Sequence, residues 1–174
     1  IAMTLKGDDA LRFAKLTSGR DELILVTQRG QSIRFSERDV RAMGRQAAGV
    51  LAVRLKKNDE VVGMDVINYQ LPVTNNRLLV VMENGYGKHT LLKNYKKQRR
   101  GGSGIKTAKL TPKTGAVVSG KIVGGEELEL ITISRKGHVI RTELSTIPVL
   151  GRATQGVRIM RLEEGDAVAS ITAL

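Results

Sequence analysis

The sequence predicts an all-β fold, built as a propeller-like array of repeated four-stranded units. Three stretches align as apolar, β-rich runs that each end in a polar turn closed by glycine: Glu22–Gly30, Arg77–Gly85 and Glu127–Gly137. A second glycine stands 19 residues behind each turn glycine, at Gly49, Gly104 and Gly156. Units of about 50 residues with four strands each are typical of propellers, in which every blade buries its faces on its neighbours.

The strands of one unit are predicted from the first repeat. The first two strands form a hairpin across the turn glycine, as in Leu23–Thr27 and Ser32–Phe35. A polar loop with at most a short helical turn, at Glu37–Met43, leads to a third strand such as Val50–Leu55. A second turn then leads to a fourth strand such as Val61–Ile67.

The first 20 residues are expected to be the end of a preceding blade. Ile1–Leu5 and the turn behind it resemble Val50–Leu55 with its turn, and Ala10–Leu16 is predicted as a closing strand. The chain would then hold the end of one blade at 1–20 and complete blades at 21–75, 76–126 and 127–174. All of them would belong to one domain.

The charge of the chain points to a polyanionic partner. The sequence carries 29 Lys and Arg against 17 Asp and Glu, a net charge of +12, which favours nucleic acid first and an anionic membrane surface second. Aromatic residues make up only 3% of the chain, so a stacking platform for single strands is disfavoured. Duplex DNA bound through its phosphates is therefore the expected partner.

Composition argues against other classes of protein. The chain has no Cys and only two His, so neither disulfides nor a metal site is expected. No apolar run approaches the roughly 20 residues needed to span a bilayer, and no signal peptide is evident, so a cytoplasmic protein without a membrane partner is predicted. Because the sequence has no Ser-His-Asp set, Walker-type loop or paired carboxylates, no catalytic residue is predicted.

The strongest chemical feature is a basic window in the middle unit. From Asn84 to Gly125 the sequence has no Asp or Glu and ten Lys or Arg. Glycines beside arginines let the backbone approach a phosphate while the guanidinium groups pair with its oxygens. The DNA-binding residues predicted in this window are Lys88, Lys93, Lys96, Lys97, Gln98, Arg99, Arg100, Gly101, Gly102, Gly104 and Lys106.

Two further sets of cations recur at fixed places in the repeat. Arg45, Arg100 and Arg152 stand four residues before the second glycine, and Arg34, His89 and Arg141 stand four residues after the first. Arg45, Arg152, Arg34 and Arg141 are therefore added to the predicted DNA-binding set. The alternative is that Arg34 and Arg141 cap strands or pair with acids of a neighbouring blade, and that Arg45 and Arg152 serve only turns.

Four stretches of the sequence carry a family resemblance. They are Leu16–Leu23, Val40–Arg45, Asn84–Lys88 and Gly151–Val157. With them the chain resembles the C-terminal domains of the A subunits of DNA gyrases and, more distantly, those of the topoisomerase IV counterpart. Gln98–Gly104 is similar to the family's GyrA-box, although Ser103 replaces its last basic residue. The box also lies in a middle unit rather than in the first blade.

The resemblance implies a β-pinwheel of six blades, a propeller variant in which neighbouring blades exchange a strand. It implies a rim that wraps duplex DNA in support of negative supercoiling by a bacterial, nucleoid-associated enzyme. The cleavage tyrosine would lie elsewhere in the A subunit, while ATP, with its Mg²⁺, would occupy the B subunit. This segment would therefore need no cofactor. The alternative function is a propeller whose cationic loops dock acidic protein partners.

Overall fold

The computed structural model describes residues 3–70, 76–124 and 127–174. The fold is all-β, as predicted. Its strands are β1 (Glu22–Thr27), β2 (Gln31–Ser36), β3 (Val61–Ile67), β4 (Arg77–Met82), β5 (Tyr86–Leu91), β6 (Ile105–Lys106), β7 (Val117–Val123), β8 (Glu129–Ser134), β9 (Val139–Glu143), β10 (Val157–Arg158) and β11 (Val168–Ala173). We call 21–75, 76–126 and 127–174 the first, middle and third units.

A hairpin opens each unit, as the turn glycines predict. Strand β1 pairs antiparallel with β2, β4 with β5, and β8 with β9. The turn between β1 and β2 closes when the Gly30 amide donates to the Thr27 carbonyl at 2.9 Å, and Gly30 takes a φ of +73° that residues with a Cβ resist. A single 3₁₀ turn follows each hairpin, at Glu37–Asp39, Leu92–Asn94 and Leu144–Thr146.

The fourth predicted strand of each unit returns to its own hairpin. Strands β3, β7 and β11 pair antiparallel with β1, β4 and β8, on the side away from the second strand of the hairpin. The prediction of Val61–Ile67 is confirmed with its bounds.

The third strand is exchanged between units. Strand β6 of the middle unit pairs with β2 of the first unit, and β10 of the third unit pairs with β5 of the middle unit. The sheet orders are therefore β3-β1-β2-β6, β10-β5-β4-β7 and β11-β8-β9. This exchange is the feature that distinguishes a β-pinwheel from a simple propeller.

Two predicted strands are wrong. Val50–Leu55 forms no strand, and only Val53 makes an isolated parallel bridge, to Gly102. Its counterparts β6 and β10 each lie on the hairpin of the preceding unit, and the described residues before the first unit contain no such hairpin. Ala10–Leu16 and Met3–Leu5 also form no strand, because the described residues offer them no such hairpin to pair with. Ile1 and Ala2 lie outside the described residues.

The core of the described residues has three buried clusters, of which two lie between neighbouring units and one, around Phe35, lies within the first unit. One buried cluster joins Ile24 and Val26 of the first unit to Leu78 and Val80 of the middle unit, and a second joins the middle and third units. Burying such a side chain contributes about 1.5–3 kcal/mol. The facing strands β3 and β7 come so close that a Cβ on Gly63 would lie 2.6 Å from the Gly120 carbonyl oxygen. The blades therefore hold together by face-to-face packing as well as by strand exchange.

Candidate nucleic-acid interface

Exposed cations of the middle unit lie within and on either side of the segment Gln98–Gly104, which we call the box segment. Lys93 lies in the 3₁₀ turn after β5, Lys96 and Arg99 follow it, and Lys106 ends β6. All four are exposed, and in the described part of the chain their side chains make no hydrogen bond or ion pair. An anion can therefore bind them without displacing an internal partner.

Lys97 has a partner. Its ammonium lies 3.2 Å from a carboxylate oxygen of Glu22, and its side chain is about half exposed, at 51%. Glu22 therefore compensates part of the charge of Lys97, although the lysine remains at the surface. A phosphate at Lys97 would have to compete with that carboxylate.

The box segment lies against the first unit. The Gln98 amide donates to the Arg34 carbonyl at 2.7 Å, and the Gly101 amide donates to the Ala52 carbonyl at 2.6 Å. The Gly102 carbonyl accepts the Arg54 amide at 2.8 Å. The prediction that the Gly101 amide serves a phosphate is therefore wrong, because that donor is already used between units.

Gly104 explains why glycine ends the box segment. Its φ is +72°, in the left-handed region, and a Cβ there would overlap the Ser32 carbonyl oxygen. Both conditions exclude a side chain where β6 joins the sheet of the first unit. The role of Gly104 in this structure is strand exchange.

Two arginines of the repeat make equivalent contacts between neighbouring units. We call the place where two neighbouring units meet a joint. Arg100 donates from Nη1 to the Leu51 carbonyl at 3.0 Å and from Nε to the Asp39 carbonyl at 2.7 Å. Arg152, its counterpart in the third unit, donates from Nη1 to the Lys106 carbonyl at 3.1 Å. Leu51 and Lys106 both stand two residues after a second glycine, so the same contact occurs at both joints. Any DNA contact of Arg100 and Arg152 remains a prediction beside this internal role.

Lys88 is buried, so its prediction as a DNA-binding residue is wrong. Its side chain is fully covered, and its ammonium donates to the carbonyls of Gly151 and Arg152 at 2.7 and 2.5 Å and to the Thr154 hydroxyl at 3.0 Å. Burial, with a smaller contribution from Arg152, lowers the pKa of Lys88 to about 8. The repeat contained a signal of this burial, because Ile33 and Ile140 occupy the same position in the other units.

Arg34 is also withdrawn from the surface. It is 9% exposed; its Nε donates to Glu22 at 2.5 Å, and its Nη1 donates to the Leu92 and Tyr95 carbonyls. Its prediction as a DNA-binding residue is therefore wrong. The acid that it pairs with, Glu22, belongs to its own unit and not to a neighbouring blade, and its contacts with the middle unit are to backbone carbonyls. Arg141 forms an ion pair with Glu129 that raises the pKa of the guanidinium, but its side chain remains 67% exposed. A DNA contact of Arg141 stays a prediction.

Arg45 is the member of its set that remains available. Its side chain is exposed and has no partner within the described residues. The structure thus separates the predicted cations into three groups. Lys97, Arg100, Arg141 and Arg152 are at least partly exposed and have internal partners. Lys93, Lys96, Arg99, Lys106 and Arg45 face solvent without partners, while Lys88 and Arg34 stabilise contacts between units.

The predicted set omits an exposed cation at the joint between the middle and third units. Arg158 ends β10 and stands two residues after Gly156, just as Lys106 stands two residues after Gly104. The fixed offset behind the second glycine is the signal that could have identified it.

The described ranges lack two other kinds of site. Residues 3–70, 76–124 and 127–174 contain no group of three or more His, Cys, Asp or Glu that could hold a metal ion. Those ranges also contain no helix with the length and apolar character needed to cross a bilayer. What the described surface offers is a group of exposed cations.

Comparison with known proteins gives consistent matches. The family model described as "DNA gyrase C-terminal domain, beta-propeller" matches residues 21–68, 77–123 and 128–174. The DNA gyrase A subunit of Staphylococcus epidermidis is 42% identical over 171 residues, and that of Staphylococcus aureus is 41% identical. Each alignment covers 98% of this chain, which spans 19% of the length of the curated relatives it matches.

Two solved structures share the fold. A DNA gyrase A C-terminal domain superposes with a TM-score of 0.87 at 27% identity, over 99% of this chain and 57% of that one. The C-terminal domain of a DNA topoisomerase IV superposes with a TM-score of 0.88 at 25% identity, over 99% of this chain and 52% of that one. The family model covers most of the chain, and the chain therefore belongs to the DNA gyrase C-terminal domain family.

Proposed function

We propose that this chain is a non-catalytic module of a type IIA topoisomerase that binds duplex DNA and bends it around its basic surface. The observation that carries the proposal is a group of exposed cations in and beside the box segment, Lys93, Lys96, Arg99 and Lys106, together with Arg45. Their side chains have no partner in the described residues. Such cations pair with phosphates, which carry no sequence information, so we expect binding to depend little on sequence. Family membership supports the same partner.

Bending is energetically feasible for such a surface. Bending a site of about 20–30 base pairs by about 40–90° costs on the order of 1–6 kcal/mol. Each phosphate contact releases condensed counterions, so several contacts distributed over successive blades can offset that cost. The strand exchange fixes successive blades to one another, which fixes the path of a duplex that follows them.

We assign this module to a gyrase, where the bent duplex would support negative supercoiling. The B subunit would hold ATP and Mg²⁺, and the cleavage tyrosine would lie in the rest of the A subunit. The whole enzyme would act in the bacterial cytoplasm, on the nucleoid. Tyr95 fits that division, because it is 1% exposed.

A fluorescence anisotropy titration tests duplex binding. Two labelled duplexes of equal length and unrelated sequence are titrated with the chain at low and at physiological salt. Similar affinities for the two sequences and a steep loss of affinity with salt are expected. Absence of binding at low salt would overturn the proposal.

The alternative of an acidic protein partner is tested in the same assay. Polyglutamate of equal total charge is added as a competitor to the bound duplex. We expect it to displace DNA only in large excess. Displacement at equal charge concentration would favour a surface that docks acidic proteins.

Bending needs its own measurement. A duplex of about 40 base pairs with a donor and an acceptor dye at its ends should gain energy transfer when bound, because bending shortens its end-to-end distance. Binding with unchanged energy transfer would show a straight duplex and contradict the bending part of the proposal alone.

A further inference from the structure

Tyr86 lies between two cations at the joint where β10 meets β5. Its ring is 5% exposed, and Lys113 Nζ and Arg158 Cζ each lie 5.6 Å from the ring centroid. Arg158 Nη2 also donates a hydrogen bond to the Tyr86 hydroxyl at 3.2 Å. Lys113 thus reaches Tyr86 from within the middle unit, and Arg158 reaches it from the third unit.

A cleft of about 570 Å³ opens at this place. Its walls are Tyr86, Lys113 and the segment Gln155–Arg161, and none of these residues carries a carboxylate. Lys113, Arg158 and Arg161 are all exposed, so the cleft presents three positive charges to solvent. Their convergence at one opening favours an anion of about the size of a phosphate group.

Carboxylates line the adjoining cleft, which holds Glu163 and Asp166. The Asp166 side chain is fully buried and accepts hydrogen bonds from the backbone amides of Lys136 and Ala167. Glu163 is exposed and lies 3.9 Å from Lys136 Nζ. Both acids therefore have partners of their own, and the cleft that they line shares Tyr86, Lys113, Arg158 and Arg161 with the first.

The electrostatic potential at the Tyr86 hydroxyl is positive, as the binding of an anion requires. The hydrogen bond from Arg158 is the largest cause that lowers the pKa of Tyr86, and Lys113 lowers it further. An environment that stabilises a phenolate also stabilises a phosphate oxygen near the same atoms.

The repeat connects this cleft to the box segment. Arg158 and Lys106 both stand two residues after a second glycine, and each lies on a strand exchanged into the preceding sheet. Equivalent positions on successive blades are reached in turn by a ligand that follows the blades. A duplex held at Lys106 would therefore meet the cleft one blade further on.

We propose that Lys113, Arg158 and the Tyr86 hydroxyl, flanked by Arg161, form a binding site for a backbone phosphate of duplex DNA. This inference rests on the proposed function, because it assigns a second contact to the same duplex. The Tyr86 hydroxyl donates its proton in a hydrogen bond to the phosphate, while the two cations neutralise its charge.

The first test compares two doubly substituted chains of equal charge. Lys113→Gln with Arg158→Gln removes the site, and Arg135→Gln with Lys136→Gln removes two cations that already have internal partners. Each lost phosphate contact lowers the slope of log affinity against log salt by about 0.9. By that rule we expect the site variant, which loses one phosphate contact, to lose about 0.9 in slope and the control to change less.

Equal slopes for these two variants would overturn the site while leaving duplex binding intact. Absence of binding by the unsubstituted chain would instead overturn the proposed function. Thermal unfolding of both variants verifies that the comparison concerns folded protein, and Tyr86→Phe provides a variant that keeps all charges. That substitution should weaken binding less than the loss of both cations.

The second test observes Tyr86 itself. The chain has three Tyr, so 3-fluorotyrosine gives three ¹⁹F resonances, and Tyr86→Phe assigns one of them. Titration with duplex should shift the Tyr86 resonance, while buried Tyr95 serves as the internal reference. An unmoved Tyr86 in the duplex complex would overturn the site. A shift with inorganic phosphate but none with duplex would assign the cleft to a small anion and overturn the DNA assignment.

Discussion

Arg99 and Arg100 are adjacent in the chain, yet their guanidinium groups have different surroundings. Arg99 is exposed and has no partner in the described structure, while Arg100 donates to the carbonyls of Asp39 and Leu51. The sequence offers two equal cations, and only the packing of the first unit against the box segment distinguishes them. At the scale of residues, charge alone therefore does not identify a ligand contact.

Substitution of each arginine by glutamine should separate binding from stability. Arg99→Gln is expected to weaken duplex binding and leave the unfolding free energy unchanged. Arg100→Gln is expected to lower the unfolding free energy by about 1–3 kcal/mol, because carbonyls of the joint lose a charged donor. Denaturant unfolding and anisotropy on the same samples check both expectations. An unstable Arg99→Gln, or an Arg100→Gln of native stability, would contradict this assignment.

Lys88 gives the chain a stability that depends on pH. Its folded pKa of about 8 lies below its ordinary 10.5, so between these values the unfolded chain binds a proton that the folded chain lacks. The contribution of Lys88 to stability is therefore complete above pH 10.5 and is lost as the pH falls through about 8.

The comparison with Lys88→Met isolates that contribution. We expect the native chain to gain unfolding free energy relative to Lys88→Met between about pH 7 and about pH 10. Other titrating groups are common to both proteins and cancel in the difference. A difference that stays constant with pH would show that the Lys88 pKa is not lowered by folding.

At the scale of elements, the two-residue strands β6 and β10 matter more than their length implies. Each adds an edge to the sheet of the preceding unit, and each follows a glycine of positive φ, Gly104 or Gly156. The fixed spacing of these glycines is the element-level pattern that makes the fold a pinwheel.

Gly104→Ala should disrupt the joint between the first and middle units. A left-handed φ costs a residue with a Cβ about 1–2 kcal/mol, and here the Cβ also meets the Ser32 carbonyl oxygen. Gly137→Ala is the matched control, because Gly137 has a φ of +87° and a Cβ there would meet nothing within 4 Å beyond its chain neighbours. We expect Gly104→Ala to lower the unfolding free energy more than Gly137→Ala, as measured by denaturant titration. Equal losses would mean that the close approach does not stabilise the joint.

The hairpins and the returning strands follow from local sequence, and the exchanged strands do not. Apolar runs and turn glycines fix β1, β2 and β3, because their partners lie nearby in the same unit. Strand β6 pairs with Gln31 and Ser32, far earlier in the chain, and its two residues give no periodicity to recognise. Only the family resemblance predicted the exchange, which is why Val50–Leu55 was expected as a strand of its own unit.

At the scale of the whole molecule, the basic residues serve two purposes. A net charge of +12 predicts a polyanionic partner, but part of that charge is used inside, where Lys88 and Arg34 hold neighbouring units together. Exposed cations without partners in the described residues, such as Lys106 on the exchanged strand β6, remain available to a ligand. This division explains how a strongly basic chain can build an ordered array of blades and still present charge to DNA.

The salt dependence of duplex binding tests the central claim most directly. Lys93, Lys96 and Arg99 are replaced together by glutamine, and a control chain carries the same replacement at Lys6, Lys56 and Lys57, which are equally exposed and without partners in the described residues. Both chains lose three positive charges. The account predicts that the first variant loses up to about 3 in the slope of log affinity against log salt, at about 0.9 per phosphate contact, while the control stays near the native slope. Equal slopes for the two variants would contradict it, because binding would then follow net charge and not this surface.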